Sequence, residues 1–100
     1  KLDGTIVPCA AAGSIPFLPN DTLHTLTSMR DRFGEKIWKR YGFIHAFNPH
    51  TNWFNPDVIG IDVGITMLMA ENYRSGLVWK TFMRNRDMQR AMQRAGFTPV

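Results

Sequence analysis

Cys9 is the only cysteine in this 100-residue chain. A lone thiol closes no internal disulfide and supplies no metal framework, so a disulfide-stapled mini-domain is excluded, while cytoplasm and periplasm both stay open. Long apolar runs are also missing, and none approaches the ~20 residues that a membrane-spanning helix needs. No basic stretch followed by an apolar core opens the chain, so no targeting peptide is legible in it. Internal repeats and low-complexity tracts are absent. Acids are scarcer than bases, 8 Asp+Glu against 12 Lys+Arg, for a net charge of +4. Much of the excess sits at Arg84, Arg86, Arg90 and Arg94. On a helix the last three form an i,i+4 stripe that could track phosphates. A solvated face beside an apolar one is the commoner origin, and the Phe and Trp residues lie elsewhere, so no nucleic-acid partner is expected. The glycines form neither a dinucleotide fingerprint nor a phosphate loop. No nucleophile elbow surrounds Ser14, Ser28 or Ser75.

Apolar material, by contrast, is plentiful: 44% of residues are hydrophobic, with three Trp and seven Phe. A globule of this length is one domain at most and buries only about 60–65% of its potential surface. The surplus points to a ligand cleft or to a surface that packs on more protein. The opening "KLDGTIVP" has no initiator Met, and the expectation is a piece of a longer polypeptide.

Along the chain, "TIVP" suggests a short strand ended by Pro8, and "AAAGSIPF" a close-packed loop whose small residues let the backbone approach a neighbour. "NDTLHTLTSMRDRFG" reads as a helix, with Asn20 or Asp21 as its cap and Leu23, Leu26, Met29 and Phe33 at helical spacing. Gly34 interrupts it, and "EKIW" makes another turn. "YGFIHAF" is a strand or extended loop, and the two Asn-Pro pairs of "NPHTNWFNP" demand turns. A central helix follows, with Asp62 as candidate cap and Gly76 as its break. "LVWKTFM" forms another helical stretch. Asn85 then caps a last helix that Gly96 stops.

That central helix is apolar nearly all round, which normally means burial on every side. Within 100 residues this is hard to achieve; it is ordinary for an inner helix covered by an outer layer. Glu71 stands out on it, because its charge is expensive to bury unless paired. Arg74, three residues on, offers an internal ion pair. The competing role is a carboxyl acting at a cleft, as a glycosidase requires, with Trp53, Phe54, Trp38 and Tyr41 as flat faces for sugar rings. A glycosidase needs two carboxylates, and nine residues put Asp62 and Glu71 half a turn apart. A second acid must then come from elsewhere. Of the histidines, His24 fits a helical pattern, while His45 and His50 lack metal-ligand spacing. No metal and no cofactor are expected.

Several strings taken together resemble the C-terminal part of the bacterial glucoamylase-like domain family, which includes beta-1,2-glucan hydrolases. They are "GTIVPCAAAGSIPFLP", "RYGFIHAFNP", "NWFNPDVIGIDVGITMLMAENYRSGLVWKTFM" and "MQRAMQRAGF". The resemblance covers nearly the whole chain in order. It implies an all-α fold, the C-terminal segment of an (α/α)6 toroid with irregular aromatic-rich loops and a short strand, residues 1–100 being an incomplete domain. It also implies an inverting glycoside hydrolase acting on a beta-glucan or related oligosaccharide without cofactors, periplasmic or secreted, in some members lipid-anchored. The partners implied are a glucan substrate and the N-terminal remainder of the same domain.

Family motifs carry over unevenly. Tyr-Gly-Phe-x-Asp-Ala-Phe-Asn in the family is Tyr41-Gly42-Phe43-Ile44-His45-Ala46-Phe47-Asn48 here, with histidine replacing the acid. Gly-Ile-Asp-Gln-Gly is Gly60-Ile61-Asp62-Val63-Gly64, without the amide, while Glu71-Asn72-Tyr73-Arg74 is intact. The resulting expectation assigns catalysis to Glu71 and Asp62, and substrate binding to Trp53, His45, Tyr41 and Asn48. A non-catalytic carbohydrate-binding homologue, or a helical fragment completing a larger toroid, are the alternatives.

Overall fold

The computed structural model describes residues 2–99. Among the described residues the fold is mostly helical, with four two-residue strands grouped in two hairpins. Ile6 makes only an isolated bridge, exchanging backbone hydrogen bonds with Phe47 at 2.8 and 3.0 Å. Pro8 does not end a strand there; it starts helix α1, Pro8–Ala12, where its missing N–H costs nothing. The first three residues of the expected loop over "AAAGSIPF" are therefore helical and the rest form turns. Its anticipated close approach is real: a Cβ on Gly13 would meet the Ile65 side chain at 3.2 Å.

Helix α2 spans Pro19–Phe33. Pro19 occupies its first turn and Leu18 is the capping residue, so Asn20 and Asp21 lie inside the helix instead of capping it. Asp21 still faces the positive end of the helix dipole. A 3-10 turn, Gly34–Lys36, leads into strand β1, Trp38–Lys39, which pairs with β2, Gly42–Phe43. Arg40 and Tyr41 form the two-residue turn between them. A second hairpin pairs β3, Phe47–Asn48, with β4, Trp53–Phe54, across the four-residue turn that Pro49 begins. Asn48 pins that turn, its side-chain oxygen accepting from the His50 and Thr51 amides.

The core sits where the hairpins meet α2. Ile37, Ile44 and Phe47 are fully buried, with Met29, Phe33 and Phe54 packed around them. The Phe47 ring stacks parallel to Phe54 and tilts against Phe33 at a centroid distance of 4.9 Å.

Helix α3, Gly60–Ser75, is the central helix. It starts after Ile59, three residues earlier than a cap at Asp62 would place it, so Asp62 lies in its first turn. One side packs on α1. The other is open, with Ile61 77% and Met67 65% exposed, so burial on all sides is not achieved within this chain. Gly76, at a φ of 69°, ends the helix in the left-handed conformation and donates its N–H to the Asn72 carbonyl. Helix α4, Leu77–Met83, follows at once and is tied back by the Trp79 amide donating to the Asn72 side chain. Helix α5, Arg86–Arg94, is capped by Asn85, which accepts from the Asp87 and Met88 amides. Gly96 closes it, at a φ of 82°, with the Phe97 amide bonding back to Met92.

Candidate functional site

Asp62 is the most buried carboxylate among the described residues, at 7% exposure. Such burial is costly unless the oxygens are hydrogen-bonded. The partner is His45, whose Nδ1 lies 2.7 Å from Asp62 Oδ2. Both residues are held from behind. The His45 amide donates to the Asp57 carbonyl at 2.9 Å, and its neighbours Ile44 and Ala46 are buried. Asp62 is fixed by the first turn of α3. Seventeen residues separate the pair in sequence, and the link between β2 and β3 brings them together.

Cys9, on α1, faces the same carboxylate. Burial pushes its thiol up, and Asp62 pushes the same way, by accepting from the thiol and repelling its thiolate. The thiol is thereby kept protonated, which suits a donor and not a nucleophile.

Asp62 and Cys9 line a groove of 360 Å³, within the range of small-ligand sites. The first hairpin forms one wall, through Trp38, Tyr41 and Phe43, and α3 forms the other, through Val63 and Met67. Trp38 rests on Phe43 edge to face at 4.7 Å, while Tyr41 projects from the turn, 67% exposed.

The other expected site residues are distributed as follows. Tyr41 lines the groove, and His45 touches Asp62 without lining it. Trp53, half exposed on β4, pairs with Asn48 in the second hairpin, away from the groove lining. Asn48 is buried, its amide donating to the Asp3 carbonyl while its oxygen holds the turn, so its polar atoms are engaged internally. Glu71 receives two hydrogen bonds from Arg74, both at 2.8 Å, and one from Ser75 at 2.7 Å. Those donors, Arg74 foremost, hold its carboxyl below the usual value. Nine residues along one continuous helix put Glu71 roughly 13–14 Å from Asp62 along the axis and on the opposite side. His24 and His50 line a separate depression beside α2.

One contributor, Cys9, is not legible in the sequence, because a lone thiol carries no motif. Trp38 is one of the four flat faces the sequence offers; reading Arg40-Tyr41-Gly42 as a tight turn places it on the same hairpin as Tyr41.

The "Glycoamylase" family model, described as "Putative glucoamylase", matches residues 1–86. A crystal structure of a "putative glucoamylase" from Bacteroides uniformis is 43% identical with a TM-score of 0.85, over 97% of this chain and 24% of that one. An endo-beta-1,2-glucanase from Chitinophaga pinensis, solved with sophorotriose and glucose, is 36% identical with a TM-score of 0.80, over 91% of this chain and 22% of that one. An exo beta-1,2-glucooligosaccharide sophorohydrolase from Parabacteroides distasonis is 35% identical over 92% of this chain, which spans 13% of that protein's length. By sequence and by fold, the chain belongs to the glucoamylase-like family that includes beta-1,2-glucan hydrolases.

Proposed function

We propose that this chain is the C-terminal portion of an (α/α)6 toroid whose complete form hydrolyses a beta-glucan or a related glucooligosaccharide with inversion. The observation that carries the reading is Asp62, a buried carboxylate opening on an aromatic-walled groove of ligand size. A pyranose presents flat C–H faces and a rim of hydroxyls. Rings such as Trp38 and Tyr41 suit the faces, and a carboxylate suits the rim. Relatives named as acting on beta-1,2-glucans support the substrate class.

In this reading the open side of α3 is covered by the N-terminal remainder of the same domain, which also supplies the second acid. Glu71 is too far from Asp62 to be that partner, since paired carboxylates of glycosidases stand about 5–9.5 Å apart. Held ionised by Arg74 and Ser75, Glu71 suits charge stabilisation or structural bracing better than proton donation. His45 and Val63, where the family motifs have an acid and an amide, favour a shifted substrate preference.

The test is hydrolysis by the full-length protein against beta-1,2-, beta-1,3- and alpha-glucans. Sugar release from a beta-glucan, with the opposite anomer formed first, is the expected result. Tight glycan binding without turnover would replace this reading with the non-catalytic homologue. Neither binding nor turnover on any glucan would remove both.

A further inference from the structure

We propose that His45 is a positioning residue that commits the Asp62 carboxylate to accepting hydrogen bonds, so that Asp62 serves as the base that activates water and not as the proton donor. The inference rests on the hydrolase reading above and assigns a role within that site. Its basis is the contact that His45 makes with Asp62. A carboxyl that donates a proton to a leaving oxygen is best kept in apolar surroundings with no N–H donor on its oxygens. Asp62 faces an apolar groove, but its Oδ2 differs from that arrangement. His45 Nδ1, an imidazole nitrogen able to donate, stands 2.7 Å from Oδ2. Hydrogen bonds of this kind favour the charged acceptor.

The geometry also gives the direction of dependence. The Asp62 side chain is only 10% exposed and lines the groove, whereas the His45 side chain is 39% exposed and does not. Asp62 is therefore the group placed to meet a substrate or its attacking water, and His45 acts through it. His45 is fitted for that task by its backbone, anchored to the Asp57 carbonyl and set between the buried Ile44 and Ala46. With Nδ1–H given to the carboxylate, Nε2 makes no hydrogen bond among the described residues. The donor that matters is thus the nitrogen two bonds beyond Cβ. Asparagine places an amide N–H at that distance, and leucine matches the bulk with no donor at all.

The experiment compares His45→Leu and His45→Asn in the full-length protein on whichever glucan the unmodified protein cleaves. H45L should lose kcat on the order of 10²-fold, the usual worth of a positioned base, with KM changed by less than about threefold. H45N should recover at least about tenfold of that loss, because the donor is restored without the ring. A KM effect without a kcat effect, or H45N no better than a folded H45L, would overturn the inference. Thermal unfolding and calorimetric glucan binding establish that H45L is folded. Should it not fold, H45N decides alone: kcat within about tenfold of the unmodified protein supports the role, and a loss as deep as that of Asp62→Asn contradicts it. No turnover by the unmodified protein defeats the hydrolase reading and this inference together. Turnover indifferent to His45 defeats this inference only.

Discussion

At the scale of single residues, the two acids of α3 separate by what surrounds them. Glu71 was the conspicuous carboxylate in the sequence, and the Glu-x-x-Arg spacing already carried its partner, because residues three apart on a helix are neighbours. Asp62 was legible as an acid near a helix start, but its contact with His45 was not. That pairing depends on two hairpins and a helix converging, and no local spacing encodes it. Glu71 has a pH signature that can be measured. Its folded carboxyl lies below the ordinary value of 4.5, chiefly through the Arg74 hydrogen bonds, so its contribution to stability is full above that pH and is lost as pH falls through the folded value. Glu71→Gln should accordingly lower the thermal midpoint at pH 7, and the gap between the two proteins should shrink steadily below pH 4.5. Midpoints that differ by the same amount at every pH would show that the ion pair with Arg74 does not carry the effect.

At the scale of elements, stops were easier to read than starts. Gly76 and Gly96 ended helices as expected because a left-handed residue after a helix has few alternatives to glycine. Starts at Pro19 and Gly60 were displaced from the residues judged able to cap them. The true capping positions hold Leu18 and Ile59, apolar residues whose side chains make no cap bond. Neither site announces itself by residue type. Only at Asn85 did a conventional cap and a helix start coincide. Replacing Asn85 by Ala should therefore cost about 1 kcal/mol, read from denaturant unfolding of the full-length protein. An unchanged midpoint would mean that α5 does not depend on its own cap. At the α3–α4 junction, Gly76→Ala should cost roughly 1–2 kcal/mol, because a Cβ is strained at this φ. That Cβ would also stand 3.1 Å from the Lys80 side chain. A variant as stable as the parent would show that the junction can straighten into one helix.

At the scale of the whole molecule, the chain is not shaped like a self-sufficient globule. Its radius of gyration is 16.4 Å, against about 13 Å for a compact chain of this length. Apolar side chains stand open along three helices, among them Ile61, Met67, Leu77, Phe82 and Met92. The excess of hydrophobic residues, read in the sequence as a ligand cleft or as surface that packs on more protein, is exposed along these helices. Residues 1–100 expressed alone should self-associate or bind a hydrophobic dye, whereas the full-length protein should do neither. A compact monomer with a sharp unfolding transition in sedimentation and calorimetry would contradict the claim that α3 belongs to an inner layer. In the proposed function, Asp62 is the acid that this segment contributes to a glucan-cleaving site. Its most direct test is the rate of sugar release from beta-1,2-glucan by the full-length protein and by Asp62→Asn, with glucan binding measured on both. D62N should bind the glucan and lose on the order of 10²- to 10⁴-fold in kcat. Turnover by D62N at the parent rate would contradict it.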